Sequence, residues 1–266
     1  MSGVEPVSAG EQLIRFVAAG PAEGRALWSF RDPVAAQAVI QRARDSDTAT
    51  EDSLSLAVLP LGAAEETFAA WSQRVAGSHR GMPVYLKVRG VELWWRPGHA
   101  VLQCEPEEAD ALRAAVVEFT FYERELRRLE DEVAGSWQEL EADRRLAYAV
   151  TDADLQGADA FGERMGRALG RRIRFARLEP HLLAPDASLR AAAQTLGSSL
   201  RDKTAVESRA EALDAQLEVF DHIYELASPR MGESRDAHEG QRIEWIIIWL
   251  LVAEVALSLF QLVVRH

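Results

Sequence analysis

Residues 105–140 read EPEEADALRAAVVEFTFYERELRRLEDEVAGSWQEL, and the way this stretch folds decides the architecture on either side of it. After Pro106 no glycine or proline intrudes as far as Tyr148 except Gly135. Leu112, Val116, Phe119, Leu126, Val133, Trp137 and Leu140 recur at spacings built from threes and fours, and Glu123 and Glu130 occupy two positions of the same seam. A stripe with a mean spacing of about 3.5 residues predicts a long helix packed along another helix. A second stripe repeats the spacing: Val206, Ala210, Leu213, Leu217, Phe220, Tyr224 and Ala227. The expectation is two long helices in an antiparallel, coiled-coil-like pair, within or between chains, with a break at Pro229 and Gly232. Between them, ADAFGERMGRALGRRIRFARLEPHLLAPDA (158–187) predicts a further helix that ends before Pro180 or Pro185.

Upstream of Glu105 the periodicity shortens. QLIRFVA and GRALWSF read as strands, and Asp32-Pro33 offers an N-cap and first-turn proline for a helix over PVAAQAVIQRAR. ARDSDTATEDS (43–53) is polar and reads as a loop. LSLAVLP is strand-like, AAEETFAAWSQRVA places Phe68, Trp71 and Val75 on one helical face, and MPVYLKVR and VELWWR flank Gly90 as a hairpin. The predicted order is β-β-α-β-α-β-β, an α+β fold with its helices on one face of a sheet. Three regions follow: an α+β domain over 1–104, a helical domain over 105–241 and a C-terminal membrane anchor over 242–266.

Composition sets the limits. With 266 residues, 48% hydrophobic and 27% charged, the chain is long enough to bury one large core or two small ones. A net charge of −12 disfavours a general nucleic-acid binder, which needs clustered Lys and Arg. Cys104 is the only cysteine, which rules out an internal disulfide and a thiolate metal cluster and suits a reducing compartment. Lys87 and Lys203 are the only lysines, so nearly all positive charge is arginine. MSGVEPVSAGEQLIRF lacks the basic and apolar regions of a secretory signal, so the bulk of the chain is expected in the cytoplasm.

From Trp245 to Val264 only Glu254, Ser258 and Gln261 interrupt an apolar run of twenty residues. As a helix it is roughly 30 Å long, the thickness of a bilayer core. Thirteen residues are Ile, Leu, Val or Phe, each favouring insertion by about 0.3–0.6 kcal/mol near the centre, against about 2.5–3.5 kcal/mol for one central acid. A tail anchor is expected, in a bacterial inner membrane. The alternative is a soluble oligomer that buries the helix. A carboxylate at bilayer depth calls for a facing helix, so Glu254 is the candidate oligomer contact, and Glu244, Trp245 and Trp249 are candidate oligomer or membrane contacts, the tryptophans near the headgroups.

Ile243-Glu244-Trp245-Ile246-Ile247-Ile248, followed by Leu250-Leu251-Val252-Ala253-Glu254-Val255, resembles the C-terminal signature of the "required for meiotic nuclear division" family, domain of unknown function 155. Arg209, Leu213-Asp214 and Leu217-Glu218-Val219 resemble its Arg-x-x-x-Leu-Asn-x-x-Leu stretch, with Asp214 where Asn is usual. The resemblance is specific over about residues 205–260. It implies anchorage by the last helix and no assigned catalytic residues. A mitochondrial branch of that family supports organellar protein synthesis, whereas the lack of a presequence and the arginine bias here suit a bacterial relative.

Catalytic patterns are missing. No phosphate-binding glycine loop, nucleophile elbow or His-Glu-x-x-His occurs, and the six histidines are mostly far apart. His222 with Glu225, and His238 with Glu239, read as surface pairs. The acidic neighbours of Cys104 raise a thiol pKa rather than activate it. No enzyme, cofactor or metal is expected. Arg164, Arg167, Arg171 and Arg174 form the one charge constellation, a helical stripe that either pairs with the acid-rich helices or meets anionic lipid or RNA phosphates. The functional expectation is a membrane-anchored oligomeric scaffold with a cytoplasmic binding surface, or alternatively an RNA- or translation-associated adaptor.

Overall fold

The computed structural model describes residues 11–20, 24–41, 52–63, 65–76 and 83–264. The N-terminal segment, most of the expected loop over 43–53, and Arg265 and His266 lie outside the described residues. The chain divides into two compact units, one of Met1–Glu132 with Arg171–Ala215 and the other of Val133–Gly170 with Gln216–His266.

The first unit carries a seven-stranded sheet. Its strands are β1 (Glu11–Ala18), β2 (Arg25–Phe30), β3 (Ala36–Gln41), β4 (Ser53–Pro60), β5 (Val84–Val88), β6 (Val91–Arg96) and β7 (His99–Cys104), in the order β2-β3-β1-β4-β7-β6-β5. All pairs are antiparallel except β4 with β7, which are parallel. The hairpin at Gly90 forms as expected, with Arg89 (φ 48°) and Gly90 (φ 85°) both in the left-handed region that a two-residue turn between twisted strands requires.

The helix expected over 33–44 is instead strand β3. Alanine is the strongest helix former, but β3 is hydrogen-bonded on both sides, Ala38 opposing Phe16 on β1 and Trp28 on β2. Burial of Ala36, Ala38 and Val39 within that pairing outweighs propensity. Gly24 admits the close approach of β2, since a Cβ there would lie 2.5 Å from Val39 Cγ1.

The helices do not share one face of the sheet, as expected from the sequence, but flank it. α1 (Glu65–Ala76) covers one face, where Val75, Phe68 and Trp71 pack on Ala57, Leu59, Trp94 and Val101. α2 (Ala109–Ala134) covers the other: the Trp95 indole N–H donates to Thr120 Oγ1 (2.9 Å), Trp95 meets Phe119 edge-on, and Phe30 stacks on Phe121 at 3.8 Å. The helices therefore lie on both faces. β4, central and buried from Ser53 to Leu59, is the near-continuous apolar run that such double coverage demands.

The remaining helices are α3 (Trp137–Asp143), α4 (Asp152–Gln156), α5 (Ala158–Leu183), α6 (Ala191–Lys203) and α7 (Val206–Val264), with a 3-10 turn over Arg144–Ala147. The apolar positions of the seam from Leu112 to Val133 are buried, as are Glu123, Leu140 and all seven positions from Val206 to Ala227, whereas Glu130 is half-buried and Trp137 is 38% exposed. The antiparallel partner of α2 is α5: in the first unit Tyr122 stacks on His181 while Glu132 pairs with Arg174. In the second unit α7 runs in the same direction as α3, Trp137 meeting Phe220 and Asp143 meeting Tyr224. The antiparallel pairing of the two seams is thus corrected within the chain, where α5 is the helix that runs antiparallel to α2.

α7 also continues through Pro229, where a break was expected. Pro229 sits on the exposed side, while Ala227 and Met231 are buried on either side of it and hold their turns in place. α5 passes Pro180 and stops at Leu183, before Pro185.

Candidate functional site

The arginine stripe of α5 is matched by carboxylates along its length. In the second unit Arg164 donates twice to Asp143, from Nε to Oδ2 and from Nη2 to Oδ1, each at 2.7 Å. This hydrogen bonding holds the Arg164 guanidinium above its ordinary value. Tyr224 Oη donates to the same Asp143 (3.3 Å), and burial followed by the Asp143 charge pushes the phenol up to about 12. Arg167 Nη2 donates to Glu139 Oε2 (2.9 Å). In the first unit Arg174 Nη1 donates to both Glu132 oxygens (2.8 and 3.0 Å), Arg171 lies 3.7 Å from the same carboxylate, and Arg172 pairs with Asp214. The four arginines singled out as an anionic-partner surface therefore pair within the chain. Asp214 is a partner of Arg172.

Arg209 joins two further carboxylates. Its guanidinium donates to both oxygens of Glu130 (2.9 and 2.6 Å) and to Glu123 Oε1 (3.1 Å), tying α7 to α2 across their buried seams. Burial pulls this guanidinium down, but hydrogen bonds to Glu130 and the charges of Glu123 and Glu130 more than offset it.

Sequence reasoning missed a buried ion pair. Glu118 is fully buried, and its Oε1 accepts from Arg201 Nη2 at 2.8 Å. Arg201 also donates to the carbonyls of His181 (2.7 Å), Leu182 (3.1 Å) and Gly197 (3.1 Å). His181 and Leu182 lie in the last turn of α5, where carbonyls have no intrahelical donor, so Arg201 caps that helix end while neutralising Glu118. Burial still pushes the Glu118 carboxyl above its ordinary range, against the pull of Arg201. The signal was there: Glu118 is the lone acid in AAVVEFTF, the kind of interruption that singled out Glu254.

Both lysines line one shallow groove of about 350 Å³ in the first unit, formed by Tyr85, Leu86, Lys87 and Val88 of β5 and by Ser199, Asp202 and Lys203. Lys87 pairs with Glu92, whose hydrogen bond raises the ammonium pKa. Cys104 is buried, and desolvation, then the charge of Glu108, pushes its thiol up to about 11. Among the described residues no group of three or more His, Cys, Asp or Glu side chains is placed to hold a metal ion.

The C-terminal part of α7 presents a different surface. Ile243 and every residue from Trp245 to Val252 are between 48 and 68% exposed, and Glu244 and Glu254 are exposed as well. Exposure this uniform around a helix means that no side of it packs within the chain. Among the described residues no helix is long and apolar enough to cross a membrane. The described side chains reach Glu254, ten residues into the apolar run, while the helix itself continues to Val264. Compared with known proteins, the chain matches no family model and no curated protein.

Proposed function

We propose that the chain is a non-enzymatic, membrane-anchored oligomeric scaffold, with the sheet-bearing unit presenting a binding surface on the cytoplasmic side of a bacterial inner membrane. The observation that carries this reading is the all-round exposure of Ile243 and Trp245–Val252 on a helix that runs unbroken to Val264. An apolar cylinder of this kind exceeds the exposed patches of ordinary soluble chains and asks for lipid or other copies around it. The sequence supplies twenty residues for the span, about 30 Å of helix. Trp245 and Trp249, one turn apart at its start, suit the headgroup level. The resemblance over 205–260 belongs to the same proposal.

Alkaline-carbonate extraction of membranes tests the reading, with the full-length chain set beside a truncation ending at Gln241. The full-length chain is expected in the pellet and the truncation in the supernatant. Release of both would withdraw the anchor and leave a soluble bundle as the way the helix is covered.

A further inference from the structure

The polar residues of the final helix share one stripe. Glu244, Ile247, Leu251 and Glu254 follow one another at spacings of three, four and three, and all four are exposed. The sequence continues the pattern at Ser258 and Gln261, within the helical range that ends at Val264. Every non-apolar position from 243 to 264 therefore belongs to this stripe. At 3.6 residues per turn these six positions fall within an arc of about 100°. Trp245, Trp249, Val252 and Ala253 lie on the opposite side, and that side is wholly apolar.

A helix surrounded by lipid on all sides gives no reason for its polar residues to align. A helix with one buried seam does, because hydrocarbon excludes unsatisfied polar groups from every other face. The mean spacing of about 3.5 residues is that of two helices crossing at a shallow left-handed angle. Resting on the membrane-anchor reading, we propose that this stripe is the seam between copies of the chain, packed in parallel. Each copy supplies one such helix at its C-terminal end and keeps the rest of its chain on the same membrane face, so the spans must point the same way. In that register like layers meet: Ile247 and Leu251 form apolar layers, with Glu244 and Glu254 as polar layers on either side of them. A polar layer in an apolar seam fixes register. The two tryptophans then face lipid, which separates their role from that of Glu244 and Glu254.

Oxidative crosslinking in native membranes tests the seam. Single substitutions Ile247→Cys, Leu251→Cys, Val252→Cys and Ala253→Cys are placed in the full chain, with the parent's buried Cys104 as background. Disulfide-linked dimer at Ile247→Cys and Leu251→Cys is expected several-fold above that at Val252→Cys and Ala253→Cys. Equal yields at all four, or a maximum at Val252→Cys or Ala253→Cys, would overturn the seam. Carbonate extraction of the same membranes separates the two readings. A pelleted chain with flat yields fails the seam alone. A released chain that keeps the periodic yields retains the seam as the core of a soluble bundle and fails the anchor.

Discussion

Arg201 shows how much one side chain can hold. Its guanidinium meets Glu118 and three backbone carbonyls, with both side chains of the pair almost fully buried. Arg201→Met leaves a buried carboxylate without its counter-charge and uncaps α5. A loss of about 3–5 kcal/mol is expected. The double variant Glu118→Leu with Arg201→Met removes the stranded charge but not the lost caps, so its urea midpoint should fall between parent and single variant. Equal midpoints for single and double variants would mean that the capping, not the charge, is what matters. Cys104 makes a simpler case. Its folded thiol, at about 11, holds its proton more tightly than an ordinary thiol near 9.0. Between those values the folded state binds more protons than the unfolded one, so the Cys104 contribution is complete below about pH 9.0 and is lost as pH rises through about 11. Cys104→Ala should flatten the decline of stability in that window, measured by urea denaturation at pH 8 to 11.

At the scale of elements, two arginine contacts look alike on paper and differ in burial. Arg209 bridges Glu123, whose side chain is 3% exposed, and Glu130, whereas Arg167 and Glu139 are both nearly half exposed. Arg209→Ala should cost about 1–3 kcal/mol because the buried Glu123 is left with Arg127 alone and Glu130 loses both of its hydrogen bonds to Arg209. Arg167→Ala should stay within about 0.5 kcal/mol, since exposed pairs are screened and entropically costly. Thermal melts of the two variants make the comparison, and equal shifts would refute the part given to burial. The long helices were legible because apolar periodicity reports burial directly: Leu112, Val116, Phe119, Leu126 and Val133 all reach the core. The direction of pairing was not, since a 3.5-residue stripe carries no record of which neighbour it meets or which way that neighbour runs. Strand β3 escaped for a related reason. Ala36 and Ala38 are small residues, and only hydrogen bonding to two neighbours makes them strand. Glu118 was legible in principle, but its partner lies 83 residues away in sequence.

Across the whole molecule the net charge of −12 sets a background against which each arginine must be placed. Arginine supplies nearly all the cationic charge, and on α5 it faces carboxylates of the same chain: Asp143 and Glu139 in one unit, Glu132 in the other. A surface meant for phosphates keeps its cations unpaired and clustered, and gains affinity by releasing counterions as it binds. Guanidiniums already paired with carboxylates release few. Arg167→Glu combined with Arg171→Glu should therefore act on stability: each reversal sets like charges together, at Glu139 and at Glu132, and together they should cost about 1–3 kcal/mol. Nucleic acid in the purified protein, read from the 260/280 nm absorbance ratio at low and high salt, should not differ between parent and variant. If the parent instead carries RNA that salt removes and the variant lacks, the stripe has an external partner and its carboxylate pairs are the resting state of a binding surface. The same comparison separates the scaffold from the adaptor, because only the adaptor requires these arginines to leave their intramolecular partners.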